Sequence, residues 1–195
     1  MITKIIYKRE ESRKMNKCYV FIGPSGAGKT SIAEKIFRQD QKIITYTTRR
    51  PRTGEQDQKD YYFVSPEEFN QMINDRAFVE WDEYAGNKYG SSKEEITQKL
   101  AQDDCYTILT APGFWAVHAV FGEKIQPVFV TISNTKLEER LRSRGDSDTQ
   151  INQRLALFQK DLEELIALQK LPQLICLMND GNLSDAVTQF YAQLN

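Results

Sequence analysis

Gly23-Pro24-Ser25-Gly26-Ala27-Gly28-Lys29-Thr30 spells G-x-x-x-x-G-K-[ST] in full. The pattern suits a run of phosphates. Its glycines let the backbone curl until several N–H groups converge, and the helix that follows adds its positive end. Ser31 extends that set of N–H groups into the first helical turn. Lys29 can reach the outer phosphates, and the Thr30 hydroxyl can ligate magnesium. A lysine at a helix N-terminus opposes the helix dipole unless an anion lies beside it, so a ligand-free glycine turn is the weaker reading. The expected occupant is ATP with Mg2+.

Two further groups have chemical potential. Thr47-Thr48-Arg49-Arg50-Pro51-Arg52 carries three arginines in four residues, ahead of the aromatic run Asp60-Tyr61-Tyr62-Phe63-Val64. Guanidinium groups plus a tyrosine hydroxyl suit a phosphate monoester. Alone, the stretch reads as readily as a solvated basic turn. The third group is Leu137 to Gly145, where Arg140 and Arg144 stand one helical turn apart. Arginines brought in by a closing segment stabilise a moving phosphoryl group and exclude water. The competing reading pairs them with Glu138 and Glu139 on a solvated helix. No strong base is needed, because an acceptor phosphate is already a nucleophile. His118 is the only histidine, which rules out a triad or a zinc site of several imidazoles.

The elements that must position these groups alternate along the chain. Cys18–Ile22, Ile43–Thr47, Tyr106–Leu109, Val128–Ile132 and Leu174–Met178 read as buried strands. Helical spacing lies between them, so a parallel sheet covered on both faces is expected. The longest helix runs from about Thr149 to Leu168, with Leu155, Phe158, Leu162 and Leu165 as its core stripe. Between Arg49 and Ser92 the rhythm breaks into turns and aromatic strands. Capping boxes at Ser65–Glu68 and Ser92–Glu95 open two helices there.

The 195 residues suit one domain, and the net charge of -1 suggests neither nucleic acid nor membrane as partner. The first 17 residues lack the apolar centre of a secretory signal. Met15 is an alternative start, just ahead of the first strand. Cys18, Cys105 and Cys176 sit in or beside apolar runs and read as buried reduced thiols of a cytoplasmic protein.

In order, the motifs resemble those of guanylate kinase, which transfers phosphate from ATP to GMP. The phosphate loop comes first, then Thr47–Arg52 with Gly54-Glu55, the Asp60–Val64 strand and Phe78-Val79-Glu80-Trp81. Gly86-Asn87-Lys88-Tyr89-Gly90-Ser91 follows, then Arg140, Arg144-Gly145 and Arg154, and the late loop Asn179-Asp180. The resemblance covers about residues 17–190. It implies that Arg49, Arg52, Tyr61 and Tyr89 hold the acceptor phosphate. It places Thr45, Glu80, Gly90 and Ser91 around guanine, and Lys29, Arg49, Arg140, Arg144 and Arg154 in catalysis. A carboxylate at Glu80 can accept from the guanine ring N–H and amino group. Read without the family, Glu80 is a surface acid.

The implied fold is an α/β, three-layer parallel-sheet core of the P-loop nucleoside triphosphate hydrolase type. It carries an inserted nucleoside-monophosphate-binding part and a helical lid. On this chain the boundaries are an extension at 1–16, a core at 17–44, 94–135 and 155–195, an acceptor part at 45–93 and a lid at 136–154. Small nucleotides are the expected partners, and the protein a monomer or homodimer. One departure matters. The family carries Asp-x-Asp-x-Gln-Gly after the central strand, one acid serving the magnesium region and the other guanine. Here Thr110 and Pro112 stand in their places. A phosphotransferase with another phosphate-bearing acceptor, or a catalytically weak binding module, therefore stays open. Gln58 replaces a glycine before Tyr61 as a minor backbone change.

Overall fold

The computed structural model describes residues 15–84, 86–143 and 145–194, without the side chains of Tyr84, Leu157, Gln159, Lys160, Asp161 and Leu162. Arg144, the Leu162 side chain and residues 1–14 of the expected extension lie outside the described residues.

The strands, in chain order, are β1 (Cys18–Ile22), β2 (Tyr46–Thr47), β3 (Tyr62–Phe63) and β4 (Phe78–Tyr84), then β5 (Asn87–Ser92), β6 (Cys105–Ile108), β7 (Ile125–Thr131) and β8 (Ile175–Met178). The helices are α1 (Lys29–Ile36), α2 (Pro66–Asn74), α3 (Lys93–Gln102) and α4 (Ala111–Phe121), then α5 (Asn134–Ser143), α6 (Asp148–Leu168) and α7 (Leu183–Ala192). They form a parallel sheet in the order β6-β1-β7-β8 and a smaller mixed sheet in the order β3-β2-β5-β4.

Strand β1 is buried along its whole length, and its alternation divides the core. Tyr19 and Phe21 pack with Ile32, Leu137, Phe158 and Phe190 on one face of the sheet. Cys18, Val20 and Ile22 pack with Ile96, Phe114 and Leu168 on the other. Of the long helix's stripe, Leu155 joins the first cluster and Leu165 the second. A helix that spans both needs apolar residues on more than one narrow line.

Local capping chemistry explains where the helices begin. Ser65 and Glu68 form a reciprocal capping box ahead of Pro66, and Ser147 and Gln150 form another ahead of α6. Thr110 caps α4 by accepting the Gly113 N–H at 3.3 Å.

Strand β8 lies at the outer edge of the parallel sheet, yet its outward backbone groups are paired. Gln189 accepts the Met178 N–H at 2.9 Å and donates to the Met178 carbonyl at 3.0 Å. Gln193, one turn on, does the same for Cys176 at 3.0 and 2.9 Å. The edge position also corrects one expectation. Cys18 and Cys105 are buried, but Cys176 is exposed, because it alternates with buried Ile175 and Leu177 and so lies on the opposite, less covered face of this edge strand.

The expected strand Ile43–Thr47 divides between the two sheets. Lys42 bridges Tyr106 beside β6, and the Ile43 N–H donates to the Tyr106 carbonyl at 2.8 Å. By Tyr46, three residues after Ile43, the chain has joined the small sheet as β2. Gln58 also departs from expectation. Its φ of 63° is in the left-handed region, so a side chain stands where glycine would be unstrained. Gln58→Gly is expected to raise stability by about 0.5–1 kcal/mol, the left-handed strain less the entropy of glycine. Urea denaturation checks this, and an unchanged or lower midpoint would count against the strain.

Candidate active site

The phosphate loop joins β1 to α1. Its turns require glycine at Gly23, where an added Cβ would strike the Val130 carbonyl, and at Gly28, where it would lie 2.5 Å from the Asn179 amide nitrogen. Gly28, with φ of 89°, caps α1, so Lys29, Thr30 and Ser31 occupy its first turn. That turn holds no acid, and a helix start of this kind is suited to an anion. The Lys29 Nζ donates to the carbonyls of Gly23 at 2.6 Å and Pro24 at 2.9 Å.

Residues distant in sequence converge on this loop. Arg140 on α5 donates to the Asn179 carbonyl at 2.8 Å and reaches the Gly26 and Ala27 carbonyls at 3.5 Å. Arg154 on α6 donates to the Ser25 hydroxyl at 2.7 Å and pairs with Asp146 at 3.3 Å. Buried Asn179 donates its amide to the Ala27 carbonyl at 2.6 Å. Asp180 accepts the Ser133 N–H at 2.7 Å, tying the late loop to the start of α5. Of the expected lid residues, Arg140 and Arg154 therefore touch the phosphate loop.

The second group sits on the small sheet. Arg49 makes a two-pronged pair with Glu55 at 3.0 and 2.9 Å, and its guanidinium lies 5.3 Å from the Tyr61 ring centre and 5.8 Å from that of Phe63. Glu55 also accepts the Arg52 N–H at 2.7 Å. The Arg49 guanidinium, with that N–H, holds the Glu55 carboxyl down at about 2, so the pair persists throughout the neutral range. In the sequence Glu55 has no evident task; its spacing from Arg49 is the available signal. Tyr61 and Tyr89 meet edge to face with ring centres 6.1 Å apart, and burial pushes the Tyr61 hydroxyl upward. The Arg52 side chain is exposed.

The third group joins β4 to β5. Ser91, fully buried, donates to Glu80 at 2.5 Å, directly across the ladder. Burial raises the Glu80 carboxyl, against a smaller opposing pull from the Ser91 hydrogen bonds. The N-terminus of α4 abuts this pair. A Cβ on Gly113 would lie 3.3 Å from a Glu80 oxygen and 3.4 Å from the Thr110 hydroxyl. Half-buried Thr45 contributes its carbonyl to the Tyr62 N–H at 2.9 Å. Gly90 faces away from the pair. An added Cβ there would meet the Phe78 and Phe69 rings at 2.9 and 3.1 Å, so its smallness lets α2 approach the sheet.

Residues 15–175 match the family model described as guanylate kinase. The chain belongs to the guanylate kinase family. Among curated relatives, the guanylate kinase of Dechloromonas aromatica (strain RCB) is 38% identical over 152 residues, spanning 75% of each chain. That of Synechocystis sp. (strain ATCC 27184 / PCC 6803 / Kazusa) is 36% identical over 149 residues, 74% of this chain and 78% of the relative. The crystal structure of guanylate kinase from Anaplasma phagocytophilum superposes with a TM-score of 0.64 at 22% identity, covering 92% of this chain and 85% of that one. It supports the fold.

Within the guanylate kinase pattern, Thr110 has a visible local task, since its hydroxyl caps α4. Pro112 occupies the first turn of that helix, where a missing N–H leaves no hydrogen bond unmade. Neither residue supplies a carboxylate, so Glu80 is the acid beside Ser91. No helix among the described residues is long and apolar enough to cross a membrane.

Proposed function

We propose that this guanylate kinase family member transfers the terminal phosphoryl group of ATP to GMP, giving ADP and GDP. The observation that carries the reading is the face of β5. Tyr89 and Ser91 are two residues apart, so their side chains share that face about 7 Å apart. Tyr89 stands with Tyr61 beside Arg49, a group suited to a phosphate monoester. Ser91 stands with Glu80, a group suited to the guanine edge. The separation is about that between the phosphate and base of one nucleotide.

Each residue then has a task. The loop N–H groups and Lys29 hold the donor phosphates, with Lys29 exchanging its loop carbonyls for phosphate oxygens. Thr30, exposed in the first turn of α1, offers one hydroxyl. That suits magnesium, which keeps several waters and binds through few protein oxygens plus substrate phosphates. The bound ion would neutralise charge on the phosphates. Arg49, with Arg52, Tyr61 and Tyr89, aligns the acceptor oxygen for attack on the terminal phosphorus. The bond to the bridging oxygen breaks, and ADP leaves with the electron pair. Arg140 and Arg154, already on the loop, stabilise the charge that spreads during transfer.

The test is ADP release from ATP and magnesium with GMP, dGMP, AMP, UMP and CMP offered separately. Strong turnover with GMP is expected. Failure with all five, from protein that still binds ATP, would overturn the reading. The acid-free start of α4 favours a second reading, another phosphate-bearing acceptor. Turnover of AMP or a pyrimidine nucleotide in preference to GMP would select it.

A further inference from the structure

Glu95 is 8% exposed and belongs to none of the three groups described above. Its sequence position is the fourth of a capping box, but only half of that box forms. The Ser92 hydroxyl accepts the Glu95 N–H at 3.1 Å, as an N-cap should. The Glu95 carboxylate instead turns away from the helix start. One oxygen accepts the Ile44 N–H at 3.2 Å, and the other accepts the Tyr62 hydroxyl at 3.1 Å. Lys99, one turn along α3, lies 4.0 Å from the first oxygen.

These partners mark a particular place. Ile43 is still bonded to Tyr106 beside the parallel sheet, whereas Thr45 already accepts the Tyr62 N–H of the small sheet. Ile44 lies between them, where the chain passes from one sheet to the other. Its buried N–H is satisfied by Glu95 alone among the described hydrogen bonds. Tyr62 belongs to the small sheet and stacks on Tyr46 with ring centres 4.6 Å apart. Burial, and then the charge of Glu95, push the Tyr62 hydroxyl up to about 12, so it remains a donor at neutral pH. Ser91 and Ser92 face opposite ways: one holds Glu80, the other caps the helix that carries Glu95. One carboxylate thus joins α3, the crossing segment and the sheet that bears the acceptor residues.

We propose that Glu95 is a positioning residue, a pin that sets the small sheet against the phosphate-loop core so that acceptor and donor phosphates meet. The acceptor's identity rests on the reading above; the pin itself does not.

The test uses the full chain with Glu95→Ala, Glu95→Gln and Tyr62→Phe. Alanine leaves the Ile44 N–H and the tyrosine without their partner. It is expected to raise the KM for GMP about tenfold and leave the KM for ATP within twofold. Glutamine can accept from one partner and donate to the tyrosine oxygen, so it should restore most of the loss. Tyr62→Phe should fall between them. Equal rises in both KM values, or a lower melting temperature with neither KM changed, would overturn the proposal. Amide exchange of the nucleotide-free proteins reads the joint independently of the acceptor. Glu95→Ala should speed exchange across residues 44–47 and 62, with Cys18–Ile22 unchanged. A uniform rise, or none, would overturn the pin even if GMP proved not to be the acceptor.

Discussion

Lys29→Ala is expected to lower kcat about 10³-fold while the protein stays folded, the scale of loss seen when a preorganised group that stabilises transferring charge is removed. The expectation that the fold survives has its own reason. Lys29 sits in the first turn of α1, where its charge opposes the helix dipole, and its Nζ donates to loop carbonyls rather than filling a cavity. Steady-state turnover with GMP, beside a thermal melt, checks both halves. Unchanged turnover would sink the phosphate-loop mechanism. Lost turnover with a collapsed melting temperature would show that the lysine serves structure instead.

Glu80→Gln should move activity and stability in opposite directions. The buried carboxyl of Glu80 is raised above its unfolded value. For an acid shifted that way, the charged form is disfavoured in the fold. Its stability contribution is intact below the unfolded pKa and is lost as pH rises through the folded one. At neutral pH the wild-type chain therefore carries a buried charge at a cost, and glutamine removes it while still accepting from Ser91. The variant should unfold at higher urea at pH 7, with the difference shrinking as the pH falls through the raised value of Glu80 toward the ordinary carboxylate range. Its kcat/KM for GMP should fall about 10²-fold, since a neutral amide cannot accept both guanine donors. A variant less stable at neutral pH, or equally active, would show that Glu80 does not read the base.

Features settled within a few residues were legible in the sequence. The phosphate loop, the buried run Cys18–Ile22 and the box at Ser65 depend on nearest neighbours, and each formed where its residues stand. Features that depend on the far side of the fold were not. The run from Ile43 to Thr47 is uniformly strand-like, yet its ends pair with different sheets. Glu95 has the residue type and spacing of a capping acid, but Ile44 and Tyr62 claim its oxygens. Gln58 takes a conformation its side chain disfavours because the turn before Tyr61 imposes it. Within the site, the arginines could be found by type, but their partners are fixed by the folded backbone, with the Arg49–Glu55 spacing as the one hint. Glu55 holds Arg49, and Asn179 braces Ala27 from 152 residues away.

Gln189 of α7 and Gln193 at its C-cap reach further than the strand they serve. Four hydrogen bonds at Cys176 and Met178 occupy the backbone groups that a second polypeptide would use to lengthen the sheet. The cover is made of side chains four residues apart on one helix, so it can be withdrawn only by breaking both pairs or moving the helix. A self-association that adds a strand at this margin must first do one of these. Molecules crowded together during synthesis thus meet a closed border where the parallel sheet would otherwise offer a template for runaway stacking.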